Sequence, residues 1–316
     1  MTFIGAEVLI TGGTGTIGKE IAKALLKRGQ VKGIRLFSRD EEKHRVARDL
    51  LGTNKISYLV GDVADKERLS RAMNGVDIVI HAAAMKQVPA CEDNPIEAVK
   101  TNIIGTTNVI NCSIDNEVKK VFFISTDKAV RPLNLYGATK CVAEKIILDA
   151  NKYSPKGTVF AACRYGNILG SRGSVLKIWR DQLDEGNDIT ITEPNMTRFW
   201  IRRQEAVEFI FTCVENMAGG ELFIPKMKSC SMLQFSQAFL DAENLGTDSP
   251  FKIITTGIRA GEKLHEEIST AGEEHYIVNC GEIYRCNREE SSDSFKSDRY
   301  TQQEIIDLIK ETVKNG

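Results

Sequence analysis

A chain of 316 residues is about twice the usual single-domain length, which excludes a peptide-sized or disulfide-stapled architecture and predicts one large domain, or a medium one with a smaller lobe. Its 42 Lys and Arg against 43 Asp and Glu, with 42% hydrophobic and 27% charged residues, describe an ordinary soluble globular composition with no global basic field for a nucleic-acid partner. The longest apolar runs, such as residues 78–84 with His81 inside, fall far short of the roughly 20 residues needed to span a bilayer, so no membrane partner is expected.

The N-terminus, MTFIGAEVLITGG, has no basic region and no small-residue cleavage site, which makes the cytoplasm the expected location. Short β-branched runs then alternate with turns and helical spacing. Strands are expected at residues 7–11, 33–38, 56–60, 77–81, 120–125 and 158–164, and Ile17, Ile21, Leu25 and Leu26 make one apolar helix face between the first two. Parallel neighbours need a helical crossover, so the alternation predicts an α/β fold, a Rossmann-like doubly wound parallel sheet. The rhythm ends near Gly166. Residues 1–166 therefore read as a cofactor-binding domain and residues 167–316 as mainly a smaller α/β substrate lobe. Its helices are expected at 175–184, 203–216 and from Met232, and its strands at 189–192 and 221–224. A polar loop at 289–298 precedes a last helix at 303–314. The eight cysteines form no CxxC pair and no zinc spacing, so no metal is expected.

Directly after the first strand, TGGTGTIG (residues 11–18) spaces Gly12, Gly15 and Gly18 as GxxGxxG, with Thr16 and Ile17 opening the helix. A tight turn, close backbone approach and a positive helix end suit a dinucleotide pyrophosphate. At the end of the second strand, Ser38 and Arg39 suit a 2′-phosphate and favour NADP over NAD. The alternative is a solvated Arg39 with Asp40 turned to the ribose. Asp62 and Val63, after the third strand, suit an adenine-edge contact, although Asp62 could equally cap a helix. His81 reads as a strand end.

Tyr136 and Lys140 in YGATK share a helix face, where the ammonium is expected to lower the phenol pKa, and Thr126 at the end of the fifth strand offers a hydroxyl to orient a substrate alcohol. Together these residues resemble the short-chain dehydrogenase/reductase superfamily in its extended form. The segments HAAAMKQVP (81–89), STDKA (125–129), NLYGATK (134–140), RYGNILGSRGSV (164–175), MTRFWI (196–201) and GIRAGEKLHE (257–266) are similar to the UDP-N-acetylglucosamine 4,6-dehydratases that invert carbon 5. Gln87 and Ala260 depart from the His and Pro of many such relatives.

The resemblance implies oxidation of the sugar at carbon 4, loss of water across carbons 5 and 6, and return of hydride to carbon 6. Tyr136 then acts in the oxidation with Lys140 and Thr126, Asp127 is the acid for the departing hydroxyl, and Lys128 is the candidate base at carbon 5. A basic Lys128 needs a lowered pKa, from burial or from a neighbouring charge such as Lys86. The plain alternative for Asp127 and Lys128 is a loop ion pair. Ala82, Ala83, Ala84 and Lys86 are expected against the cofactor, with Lys86 also near the sugar unless it is a solvated loop lysine. Asn167, Ser171, Arg172 and Ser174 are implied beside the nucleotide sugar, and Thr197, Arg198, Arg259 and Glu262 beside UDP. A homo-oligomer is implied as well. The rival readings are a nucleotide-sugar 4-epimerase and a cofactor-binding regulatory protein without turnover.

Overall fold

The computed structural model describes residues 2–154, 157–171, 173–246, 250–279, 281–286, 292–294 and 296–314. In chain order the strands are β1 (Glu7–Thr11), β2 (Gly33–Ser38), β3 (Ile56–Val60), β4 (Ile78–His81), β5 (Lys120–Ile124), β6 (Val159–Cys163), β7 (Asn167–Ile168) and β8 (Ile189–Ile191). They continue with β9 (Thr197–Ile201), β10 (Leu222–Pro225), β11 (Ser229–Ser231), β12 (Ile253–Thr255), β13 (Glu267–Ser269), β14 (His275–Asn279), β15 (Glu282–Cys286) and β16 (Ser292–Asp293). The helices are α1 (Thr16–Arg28), α2 (Glu41–Leu51), α3 (Lys66–Met73), α4 (Val88–Asp93), α5 (Pro95–Val99) and α6 (Gly105–Asp115), then α7 (Leu135–Asp149), α8 (Val175–Asp184), α9 (Arg203–Asn216), α10 (Met232–Ala242) and α11 (Gln302–Lys314).

Nine strands form one sheet in the order β3-β2-β1-β4-β5-β6-β10-β14-β15, parallel except for the β14–β15 hairpin at its edge. Both faces of the central strands are covered, which is why these strands read as unbroken apolar runs. Along β5, Phe122 and Ile124 join the core under α1 and α9, while Val121 and Phe123 join the core under α3, α6 and α7. Exposed positions concentrate on the outermost strands β3 and β15, where a strand has one neighbour, with Asn279 at the end of β14 besides.

A third core, around Trp179, Trp200, Phe235, Phe239 and Leu308, holds α8, α10 and α11 together beside the sheet. Trp200 stacks on Phe235 with ring centroids 4.1 Å apart. Truncating a fully buried aromatic of this kind to Ala costs about 3–5 kcal/mol. The expected boundary at residues 166 and 167 divides the sequence but not the sheet: β10, β14 and β15 return from the second half and extend it. The stretch 289–298, expected as a loop, contains β16, paired antiparallel with β13, and its residues 289–291 and 295 lie outside the described residues.

Candidate active site

The carboxyl ends of the central strands open into a cleft of about 990 Å³. At its cofactor end β1 turns at Gly12, whose φ is +67°, and a Cβ there would stand 2.8 Å from Ala83 N, so glycine alone lets the loop lie against the chain leaving β4. No side chain caps α1 at Gly15 and its first turn holds no acidic residue, leaving the positive helix end to an anion. These two features fit a dinucleotide pyrophosphate. Gly12, Gly15, Thr16, Ile17, Val63, Ala82, Ala83 and Ala84 line this part of the cleft, whereas Gly18 packs inward against Gly12 and Gly13.

Ser38, Arg39 and Asp62 line the cleft at the ends of β2 and β3. Ser38 Oγ accepts from Thr14 N at 3.2 Å, tying the two loops together. Arg39 Nη1 lies 3.4 Å from Asp62 Oδ2. Asp40 also lines the cleft; it caps α2 by accepting from Lys43 N and pairs with Lys43 Nζ at 2.5 Å. Asp62 does not cap α3, a role taken by Asp65; its Oδ1 accepts from Ala64 N inside the turn. Lys43 lines the same corner and was not foreseen, although it stands one helical turn after Asp40 in the sequence.

At the catalytic end, β5 runs into the short 3-10 turn Asp127–Ala129. Asn134 caps α7, its Oδ1 accepting from Gly137 N at 2.8 Å, and this places Tyr136 and Lys140 one turn apart on the cleft side. A Cβ at Gly137 would collide with Lys128 O, so the glycine of YGATK lets α7 rest directly on the Asp127–Ala129 turn. Thr126 Oγ1 donates to Asp127 Oδ1 at 3.0 Å. Asp127 is fully buried just behind the cleft wall, and its Oδ2 has no hydrogen-bond partner.

Two electrostatic expectations are corrected here. Lys140 Nζ donates to Ile124 O at 2.6 Å and sits 3.7 Å from the Phe123 ring centroid, and burial draws its pKa down to about 7 against the opposing pull of Glu144. At that value it is still partly an ammonium near neutral pH, with its charge directed at Ile124 O and the Phe123 ring. Burial pushes Tyr136 up to about 12; the groups that pull it down are Lys128 and a hydrogen bond with Thr126. The second correction concerns Lys128 itself. Its Nζ donates to Asp127 Oδ1 at 3.0 Å and Asn167 Oδ1 at 3.3 Å and faces Glu266 Oε1 at 3.5 Å. Burial alone would lower its pKa, but the two carboxylates outweigh burial and the Arg198 charge and hold it above the ordinary lysine value. The lowered pKa required of a resting base is thus absent. Lys86 is exposed in the cleft, and partial desolvation there, then the nearby Lys128 charge, draws its pKa below the ordinary lysine value.

Lys86, Asn167, Ser171, Ser174, Arg198, Arg259 and Glu262 line the remaining cleft, and Arg172 lies outside the described residues. Arg198 is nearly buried, with its guanidinium fixed by the carbonyls of Thr197 at 2.8 Å and Lys263 at 2.9 Å. Thr197 does not line the cleft: it is buried, with Oγ1 bonded to His265 Nδ1 and Ser294 Oγ, and serves to hold the segments together. Glu266 and Tyr165 were also unforeseen. The former ends the segment GIRAGEKLHE, so its place in a shared motif was the available signal. His81 ends β4 and is fully buried between the hydroxyls of Thr11 and Thr106. Among the described residues no group of His, Cys, Asp and Glu is arranged to hold a metal, and no helix is long and apolar enough to cross a membrane.

A family model described as polysaccharide biosynthesis protein matches residues 8–288. The UDP-N-acetylglucosamine 4,6-dehydratase (inverting) of Campylobacter jejuni subsp. jejuni serotype O:23/36 (strain 81-176) is 47% identical over 284 residues, 89% of this chain and 83% of that protein. The UDP-glucose 4-epimerase of Rickettsia conorii is 39% identical over 287 residues, 90% of this chain and 83% of that one. Among solved structures, Pen from Bacillus thuringiensis superposes with a TM-score of 0.91 at 35% identity, covering 98% of both chains. The dTDP-glucose 4,6-dehydratase DesIV from Streptomyces venezuelae, solved with NAD and TYD bound, shares the fold with a TM-score of 0.74 at 18% identity, covering 82% of this chain and 86% of its own.

Proposed function

The chain belongs to the polysaccharide biosynthesis protein family of extended short-chain dehydrogenases/reductases, and from that membership we propose that it is an inverting UDP-N-acetylglucosamine 4,6-dehydratase, a hydro-lyase. Its product is a UDP-2-acetamido-2,6-dideoxy-4-keto-hexose with carbon 5 inverted. A nicotinamide dinucleotide, when bound, takes the hydride from carbon 4 and returns it to carbon 6, so no external reductant is consumed. Gly12, Gly15 and the start of α1 hold its pyrophosphate. NADP is preferred over NAD, a reading supported by Ser38, Arg39 and Lys43 all lining the cleft at the end of β2, two cations beside the carboxylates Asp40 and Asp62.

The proton work falls to the residues around the end of β5. Tyr136 rests as a phenol; passing its proton through the Thr126 hydroxyl to Asp127 leaves the phenolate, favoured by the Lys128 charge, that takes the proton of the carbon 4 hydroxyl, with Thr126 also orienting that hydroxyl. Asp127 rests as a carboxylate behind the cleft wall, takes up the proton relayed through Thr126 and supplies it to the departing carbon 6 oxygen. Lys128 serves carbon 5. It rests as an ammonium lining the open cleft, so it releases one proton to solvent there before it accepts the carbon 5 proton. Arg198, Arg259 and Glu262 hold UDP, with Asn167, Ser171 and Ser174 along the sugar and Lys86 beside the nicotinamide end.

One observation carries this reading: at the end of β5 a lysine and a tyrosine on the cleft wall join, through Thr126, one hydrogen-bonded set with a buried acid directly behind it. An epimerase acting at carbon 4 has no leaving hydroxyl to protonate. Incubation of the purified chain with UDP-N-acetylglucosamine and NADP in deuterated water is expected to give loss of water, deuterium at carbon 5 and inverted configuration there. A gluco/galacto mixture of unchanged composition would replace the reading with epimerisation, and no conversion would leave a binding protein.

A further inference from the structure

Glu266 stands just before β13 and is almost fully buried, 3% exposed. Its backbone is fixed at both polar groups: Glu266 N donates to Ser294 Oγ at 2.9 Å, and Ser294 N donates to Glu266 O at 2.7 Å. Ser294 in turn bonds to Thr197 O at 3.1 Å and shares a hydrogen bond with Thr197 Oγ1 at 2.7 Å. The C-terminal segment, for which the sequence offered no role, thereby pins Glu266 against β9. Its carboxylate lies between two cations, with Oε1 3.5 Å from Lys128 Nζ and 3.8 Å from Arg198 Nε, while the buried Oε2 has no hydrogen-bond partner. A buried carboxylate with one oxygen left unpaired is expensive, and an apolar side chain of similar volume would serve packing at least as well. What an apolar side chain could not supply is negative charge at Lys128.

The groups facing Lys128 come from several elements: Asp127 from its own turn, Tyr136 from α7, Asn167 from β7, Arg198 from β9, Glu266 before β13, and Lys86 from the chain leaving β4. We propose that Glu266 is a positioning residue that locks the Lys128 ammonium between Asp127 and Asn167 and completes an alternating chain of charges, Asp127, Lys128, Glu266 and Arg198. Glu266 does not line the cleft and acts through Lys128. By holding the ammonium it sets the pH at which Lys128 gives up the proton that the proposed dehydration requires, and in this respect the inference rests on the role assigned to Lys128 above.

Glu266→Gln removes an opposite charge 3.5 Å from the ammonium, and the loss of such a charge lowers a lysine pKa by about 1–3 pH units. The direct measurement is acylation of the full chain by acetic anhydride, a small amine-reactive reagent, from neutral to alkaline pH, read peptide by peptide by mass spectrometry with exposed lysines as internal references. The Lys128 midpoint is expected to fall by about one pH unit or more in Glu266→Gln, and the limb of the kcat profile that reports Lys128 is expected to move the same way. Superimposable Lys128 titrations overturn the inference. Should Glu266→Gln fail to fold by circular dichroism, Glu266→Asp keeps the charge but withdraws it by one methylene. It is then expected to give a smaller downward move, and coincidence with the wild type overturns the inference equally. Failure of the wild type to dehydrate UDP-N-acetylglucosamine would refute the proposed function, while the labelling comparison would still decide the part played by Glu266.

Discussion

Replacement of Arg39 by Ala tests the cofactor choice. Its side chain is 55% exposed and its present partner, Asp62, is 3.4 Å away, a loose surface pair worth about 0–1 kcal/mol. A charge-assisted hydrogen bond from the same guanidinium to a 2′-phosphate is worth about 1.5–3 kcal/mol. Solvent screening and the surrender of Asp62 reduce the net gain to about 1–2 kcal/mol, which corresponds to roughly 5–30-fold in affinity. Lys43 stays in the same corner and retains part of the attraction, so the single substitution weakens the site without abolishing it.

Fluorescence titration of the wild type and Arg39→Ala with NADPH and NADH reads the effect directly. The NADPH Kd is expected to rise about 5–30-fold while the NADH Kd changes by less than about two-fold. Because the corner is open to solvent, the wild-type preference is also expected to shrink as salt is raised. Equal weakening of both cofactors, or a wild type that binds NADH more tightly, would refute the assignment of Arg39 and return the site to an NAD reading.

Asp127→Asn preserves shape and removes the acid. Water elimination is expected to fall about 100-fold or more with NADPH affinity held within about two-fold, and parallel losses in both would make the residue structural. His81 provides a pH test of stability. Burial, then the Lys140 charge, lowers its folded pKa to about 3, so below about pH 6.5 the unfolded chain takes up a proton that the folded one refuses. Stability is expected to fall with acidification by up to about 1.4 kcal/mol per pH unit from this group, and urea midpoints between about pH 6 and pH 5 should be flatter in His81→Gln; unchanged pH dependence in the variant would refute the attribution.

The strands of the first half were legible because a parallel strand buried on both faces is an unbroken apolar run, whatever it pairs with. Val8, Leu9 and Ile10 announce β1 by themselves. The return of β10 and β14 to that sheet was not legible, since Leu222 and Phe223 find Ala162 and Cys163 only through the fold. A local pattern marks a strand; it does not say which edge the strand will join. The same division runs through the site. Glycine spacing and the Tyr136–Lys140 interval depend on adjacent residues, so the phosphate loop and the α7 pair were readable in advance.

Charge state was not, because it belongs to distant partners. Asp127 beside Lys128 is visible in the sequence, but one carboxylate against burial does not decide the sign of the shift. Glu266, brought in by β13 and fixed by Ser294, adds the second carboxylate, and the balance then favours the ammonium despite burial and Arg198. Lys140 illustrates the converse. Its spacing from Tyr136 was correct, yet its ammonium meets Ile124 O and the Phe123 ring, so the cation pulling on the phenol comes from the neighbouring turn. If Lys128 has the proposed role, the docking of the C-terminal segment on the end of β5 reaches that chemistry through Glu266, and substitutions along Thr197, Ser294 and Glu266 should alter it without touching any residue of the YGATK or STDKA motifs.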